Sequence, residues 1–123
     1  MEVTNKMAYK DYSNLKDEFK DIIEYCKNKK VGDKIKFESE KQRYTIKAKS
    51  DRYLICTKPF NLKRTCLYCI IDLERLVRGP NDRVFNCYDY TIQEDIDQSL
   101  KDLLENKIGV SHRKSILLDT EMI

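Results

Sequence analysis

The chain has 123 residues and a formal net charge of +3, with 41% hydrophobic and 37% charged side chains. That length suits one compact domain and is too short for two of ordinary size. The apolar share excludes a disordered chain, and only 3 glycines and 2 prolines exclude collagen-like or low-complexity sequence. No run of 18 apolar residues exists, so no membrane span is expected, and Glu2 without a long apolar run behind it speaks against a secretory signal.

In chain order, Leu15, Phe19, Ile22, Ile23 and Cys26 recur at helical spacing. Ser13 or Asn14 is placed to cap, Asp17 and Glu18 sit in the first turn, and Lys27 to Lys30 suit the negative end of the helix dipole. This predicts an N-terminal helical extension over residues 1–30, ended by Gly32, ahead of a ligand-binding α+β domain over 31–123. Alternation then predicts strands. Ile35 and Phe37 alternate with lysines; Tyr44, Ile46 and Ala48 alternate with Thr45 and Lys47; Ser50–Asp51 turns the chain into Tyr53–Thr57. Lys58–Arg64, with Pro and Asn, reads as a loop, and Thr65–Leu73 as the most apolar strand. Arg78–Asp82 carries a strong turn signal before a short strand through Val84 and Phe85. Thr91 and Glu94 match a capping box, and Ile92, Ile96, Leu100, Leu103 and Leu104 form the apolar face of a C-terminal helix stopped by Gly109. Ile116–Leu118 completes the set as a last short strand. The fold class is α+β: a single small domain with a twisted antiparallel sheet, an N-terminal helix and a C-terminal helix.

Five cysteines, at 26, 56, 66, 69 and 87, are an odd number without an export signal, which points to reduced thiols in a cytosol. Cys66 and Cys69 form a C-x-x-C, yet no second ligand pair accompanies them, and Cys66–Ile71 reads as a buried strand. No metal and no cofactor are expected. His112 is the only histidine, and neither a phosphate-cradling glycine loop nor a dinucleotide fingerprint is present. Asp95 and Asp97 lie at a helix start, where acids are at home. Catalysis is not expected.

Charge is unevenly spread. Residues 1–30 carry 7 basic and 6 acidic side chains (+1), residues 31–85 carry 13 and 7 (+6), and residues 86–123 carry 4 and 8 (−4). The basic middle is where an anionic partner would dock. Lys58-Pro59-Phe60-Asn61-Leu62-Lys63-Arg64 offers cations, an aromatic ring and an amide, and Arg78-Gly79-Pro80-Asn81 lies close to Phe85 and Asn86. The arginine fork suits phosphate, Phe60 or Phe85 suits stacking on a base, and Asn61, Asn81 or Asn86 suits its edge or a ribose.

The ordered set Glu40-Lys41-Gln42-Arg43-Tyr44-Thr45, Ile55-Cys56-Thr57-Lys58-Pro59-Phe60-Asn61, Tyr68-x-Ile70-x-Asp72, Arg78-Gly79-Pro80-x-x-x-x-Phe85 and Ser111-His112-Arg113 resembles a family of small phage proteins that counter the bacterial Thoeris defence as nucleotide sponges. The resemblance runs from about Val31 to Leu118 and does not place the first 30 residues, for which packing on the sheet is the simpler expectation. It implies a protein of the infected host's cytoplasm that sequesters a cyclic ADP-ribose signal, glycocyclic ADP-ribose, without cleaving it. It also implies a homo-oligomer with pockets near subunit contacts, and some members take up cyclic oligonucleotides at a second site. On matching positions it assigns Arg78 and Arg113 to phosphate, Phe85 to adenine and Asn81 or Asp72 to hydroxyls, with Lys58, Asn61 and Arg43 as further ligand contacts. The alternative is a phage inhibitor that binds nucleic acid or a ribonucleoprotein such as an RNA-guided nuclease, which the +6 block and its tyrosines permit. An enzyme that destroys the signal is disfavoured by the single histidine.

Overall fold

The computed structural model describes residues 11–38, 40–60, 65–82 and 89–116, and gives Phe60, Thr65 and Cys66 by their backbone alone. Six strands form one antiparallel sheet in chain order: β1 (Lys34–Ile35), β2 (Tyr44–Lys49), β3 (Tyr53–Phe60), β4 (Thr65–Asp72), β5 (Val77–Gly79) and β6 (Lys114–Ser115). Two α-helices, α1 (Lys20–Asn28) and α2 (Gln93–Leu104), complete the α+β domain.

Neighbouring residues of a strand face opposite sides of a sheet. Leu54, Ile55 and Cys56 in β3, and Cys69, Ile70 and Ile71 in β4, are all buried, so both faces of the sheet centre need cover. One face sets Leu54, Cys56, Cys69 and Ile71 beneath Phe19, Ile22, Ile23 and Cys26 from α1 and the turn before it. The other sets Tyr53, Ile55 and Ile70 beneath Ile96, Leu100 and Leu103 of α2. Each fully buried Leu or Ile contributes about 1.5–3 kcal/mol by leaving water.

Strand β2 serves both faces because of a register shift. Ile46 lies opposite Cys56, while Ala48 lies opposite Ile55. One extra residue turns the following side chains over, so Tyr44 and Ile46 join the α1 side and Ala48 the α2 side. The Lys49 ammonium then donates to the carbonyls of Lys27 and Lys29, which ties the C-terminal end of α1 to the sheet.

Several boundaries differ from the sequence reading. The N-terminal helix does not start at Ser13: Ser13–Leu15 forms a single 3-10 turn, the Ser13 amide donates to Asp11 Oδ1 at 2.8 Å, and α1 begins only at Lys20. The expected loop over Lys58–Arg64 is shorter, since β3 continues to Phe60. Pro59 is tolerated there because pairing with β2 ends at Thr57, which leaves one side of β3 without a ladder to interrupt. Arg78 and Gly79 lie in β5 rather than in a turn, and the chain reverses earlier, over Leu73–Leu76. Asp72 Oδ1 accepts the amides of Glu74 (3.0 Å) and Arg75 (3.2 Å), and Leu76 takes a φ of 58°.

The capping box does not form, because Thr91 turns its hydroxyl (2.5 Å) and amide (2.9 Å) to Asp89 instead. Asn106, at φ 59°, ends the α2 region in place of Gly109. Ile92, just ahead of α2, and Leu104 at its end are exposed, while Ile96 and Leu103 are buried. Strand β6 precedes the expected Ile116–Leu118, whose last two residues lie outside the described ones, as does the strand expected at Val84 and Phe85. Among the described residues, no helix is long and apolar enough to cross a membrane.

The segment entering β6 crosses directly over β5 at Gly79, where a Cβ would stand 2.3 Å from the Ser111 carbonyl oxygen. Gly79→Ala is therefore expected to destabilise the fold by about 1–3 kcal/mol. A urea titration reads this as a lower midpoint at constant slope; an unchanged midpoint would contradict the close approach.

Candidate functional site

Four side chains from separate parts of the chain converge on the α1 face of the sheet. Arg78 stands on β5 opposite Ile71, Lys58 follows Thr57 on β3, Tyr44 opens β2, and Glu40 comes from the connection ahead of β2. Glu40 Oε1 accepts from Lys58 Nζ at 2.8 Å and from the Tyr44 hydroxyl at 2.9 Å, and Oε2 accepts from Arg78 Nη1 at 2.7 Å. The two cations also lie over rings, the Arg78 guanidinium 4.0 Å from the Phe37 centroid and the Lys58 ammonium 4.7 Å from that of Tyr44. Phe37 and Tyr44 meet edge to face at 5.4 Å. Five side chains thus form a closed ring of charge and aromatic contacts.

Electrostatics follow from that geometry. Burial works to raise the Glu40 carboxyl, but the hydrogen bonds from Lys58 and Tyr44 and the charges of Arg78 and Lys58 outweigh it and hold the group below its ordinary 4.5. Burial first, and then the bond to Glu40, pushes the Tyr44 hydroxyl up. Burial pushes the Cys69 thiol up to about 11, against the pull of the adjacent Arg78 charge. Cys69 is therefore a protonated hydrophobe at neutral pH and no nucleophile. Cys56, opposite Cys69 on β3, is raised well above its ordinary value by burial.

A cleft of about 320 Å³ opens beside this ring, walled by Tyr44, Tyr68, Arg78, Pro80, His112 and Lys114, with Glu40 at its margin. Lys114 is the cross-strand partner of Arg78 and brings a second cation to the cleft, with Lys58 behind Glu40. His112, the lone histidine, takes a φ of 46° at the crossing above Gly79. Arg78 is 7% exposed, and its Nε has no hydrogen-bond partner among the described residues.

The residues singled out by sequence divide into groups. Arg78 and Lys58 come together on Glu40. Arg113 does not join them: it precedes the partner of Arg78 on β6, its Nε donates to the Val110 carbonyl at 2.8 Å, and its charged neighbours are Arg75, Asp72 and Asp11. Burial first, then Arg75, lowers the Arg113 pKa. Asp72 is paired with Arg52 through two bonds of 3.0 Å and also holds the Leu73–Leu76 turn, so its carboxylate works inside the fold.

Asn81 is buried in a polar column on the α2 side, donating to the Tyr90 hydroxyl at 3.0 Å, which in turn donates to Ser99 at 3.2 Å. Tyr68 stacks on Tyr90 at 3.8 Å, packs with the α2-side cluster and is also a lining residue of the cleft. Arg43 is exposed beside Tyr44. Phe85 and Asn61 lie outside the described residues. Sequence reasoning assigned no role to Glu40, Tyr44 or Lys114. The available signal was Glu40 standing four residues before a tyrosine in a block otherwise rich in cations.

Among the described residues, no group of three or more His, Cys, Asp or Glu side chains is placed to hold a metal ion. The arrangement is suited to holding an anion: cations fixed on strands with rings beside them. No protein-family model, no curated protein and no solved structure matches the chain.

The depressed Glu40 carboxyl has a direct consequence for stability. Its contribution is complete above pH 4.5 and is lost as the pH falls through the lower value it takes in the folded state. Glu40→Gln is expected to lower stability at pH 7 and to flatten the loss between pH 5 and pH 3, read by thermal melts across that range. Parallel profiles for the two proteins would contradict the cluster.

Proposed function

We propose that this chain binds a small phosphate-bearing nucleotide without cleaving it, and that the ligand is the cyclic ADP-ribose signal named by the resemblance to the anti-Thoeris sponges. The observation that carries the reading is a cleft lined by Arg78 and Lys114, from neighbouring strands, together with Glu40, which joins Lys58 to the same cluster. A pyrophosphate needs fixed cations, and its low-dielectric surroundings strengthen each contact. An adenine needs an aromatic face, and of the two tyrosines at the cleft Tyr68, stacked on Tyr90, is the candidate, since the Tyr44 ring is taken by Lys58 and Phe37. The volume, about 320 Å³, falls at the small end of ligand sites.

Sequestration in an infected bacterial cytoplasm follows as the biological role. A sponge competes with the effector for the signal, and each tenfold advantage requires about 1.4 kcal/mol. Charge-assisted hydrogen bonds contribute roughly 1.5–3 kcal/mol apiece, so two of them are enough for a useful margin. On this reading the protein acts as a homo-oligomer, and Arg113 contributes by shaping the segment around His112 rather than by touching phosphate. Capture of cyclic oligonucleotides at a second site belongs to the same family reading.

The test mixes the purified protein with TIR-made cyclic ADP-ribose, removes free ligand by filtration, heats the protein and quantifies what is released. Intact ligand released only on heating is the expected result, and Arg78→Lys, which keeps the charge but loses the planar fork, should retain at least about tenfold less. Ligand left in the first filtrate would overturn the sponge reading. Salt-sensitive binding of nucleic acid in its place would favour the inhibitor alternative. Consumption of the ligand would make the protein an enzyme.

A further inference from the structure

Arg78 of the cleft and the neighbouring Lys58 are already engaged by a carboxylate that the chain itself provides. Arg78 and Lys58 are mounted on β5 and β3, in the body of the sheet, whereas Glu40 belongs to the connection between Phe37 and Tyr44. Glu40 takes the Arg78 guanidinium through Nη1 at 2.7 Å, leaving Nε without a partner among the described residues although the side chain is more than nine-tenths buried. A planar fork that gives a carboxylate only one of its nitrogens falls short of the two parallel bonds it forms with a phosphate or carboxylate. Glu40 also satisfies Lys58 with its other oxygen, so a single carboxylate occupies two cationic positions. Its side chain keeps 21% exposure, against 9% and 11% for its two partners, and it is the member of the cluster that can leave into water.

We propose that Glu40 is an internal stand-in for the ligand's phosphate and that binding at this site is an exchange, in which a forked polyanion displaces the Glu40 carboxylate from Arg78 and Lys58. This rests on the proposed function above and specifies the ligand class at the site: a pyrophosphate or comparable dianion, with enough charge for Arg78, Lys58 and Lys114 together. A monoanion would only trade one carboxylate for its equivalent. The exchange also sets selectivity, since a weakly charged competitor does not dislodge Glu40. A site that is open only a fraction of the time binds more weakly by that fraction, so removing the stand-in strengthens binding.

Inorganic pyrophosphate is the probe, with acetate as the monoanion control, measured by calorimetry on the full-length protein. The expected result is that Glu40→Gln binds pyrophosphate at least about tenfold more tightly than the unaltered protein, while acetate remains weak for both. Equal or weaker pyrophosphate binding by Glu40→Gln would overturn the exchange, and so would no binding by either protein. If Glu40→Gln does not fold, hydrogen exchange on the unaltered protein decides. Pyrophosphate should speed exchange in the amides around Glu40 while slowing it around Arg78, and slower exchange at both would overturn the proposal. A protein that passes these tests yet does not retain cyclic ADP-ribose would refute the nucleotide reading and leave the exchange standing.

Discussion

The Glu40 carboxylate is the constraint on which this end of the molecule depends. A buried charge such as Arg78 is costly unless it is paired and hydrogen-bonded, and the half-buried Glu40 supplies that partner while accepting from three donors, two of them cations, within 2.9 Å. In doing so it fixes the connection ahead of β2 against β3 and β5. The same contacts draw Arg78 over Phe37 and Lys58 over Tyr44, so that ring stacking and ion pairing reinforce each other. Removing Glu40 leaves two cations without their shared counter-charge, and the cluster therefore behaves as a unit rather than as independent pairs. The cleft with its cations is what this cluster leaves open to solvent.

The sheet determines what reaches that cleft. Its two buried faces separate two sets of polar residues that lie close in sequence. Arg78 and Lys58 belong with the α1 face, whereas Asn81 joins Tyr90 and Ser99 beneath α2. The register shift in β2 lets one strand contribute Tyr44 to the first face and Ala48 to the second. Gly79 admits the backbone of residues 111–112 close enough to bring His112 and Lys114 to the cleft edge. A short, heavily charged chain thereby brings cations from β5 and β6 to the cleft, with Lys58 of β3 joined to them through Glu40.

Much of the fold was legible in the sequence because its signals were local. The apolar periodicity of the N-terminal helix, the continuous apolar run of β4 and the face of α2 through Ile96, Leu100 and Leu103 each name their own element. Boundaries were less legible where a side chain competes with the expected cap. Asp89 captures Thr91, Asp11 captures the Ser13 amide, and Asp72 makes a turn over Leu73–Leu76 where neither glycine nor proline marks one. In the candidate site, Arg78 and Lys58 could be singled out by type and position. Glu40 could not, because its role arises from pairing across 18 and 38 residues of chain. Asp72 and Arg113 carry the right chemistry, but their partners, Arg52 and the Val110 carbonyl, can be identified only in three dimensions.

The central claim is that anionic ligand binds at Arg78 and not at the protein's other arginines. The most direct measurement follows the side-chain Nε–Hε resonances of the arginines by nuclear magnetic resonance while cyclic ADP-ribose is added. The account predicts a saturable shift of Arg78, with Arg52 held unchanged by Asp72. A shift confined to Arg43, Arg52 or Arg75, with Arg78 still, would contradict it.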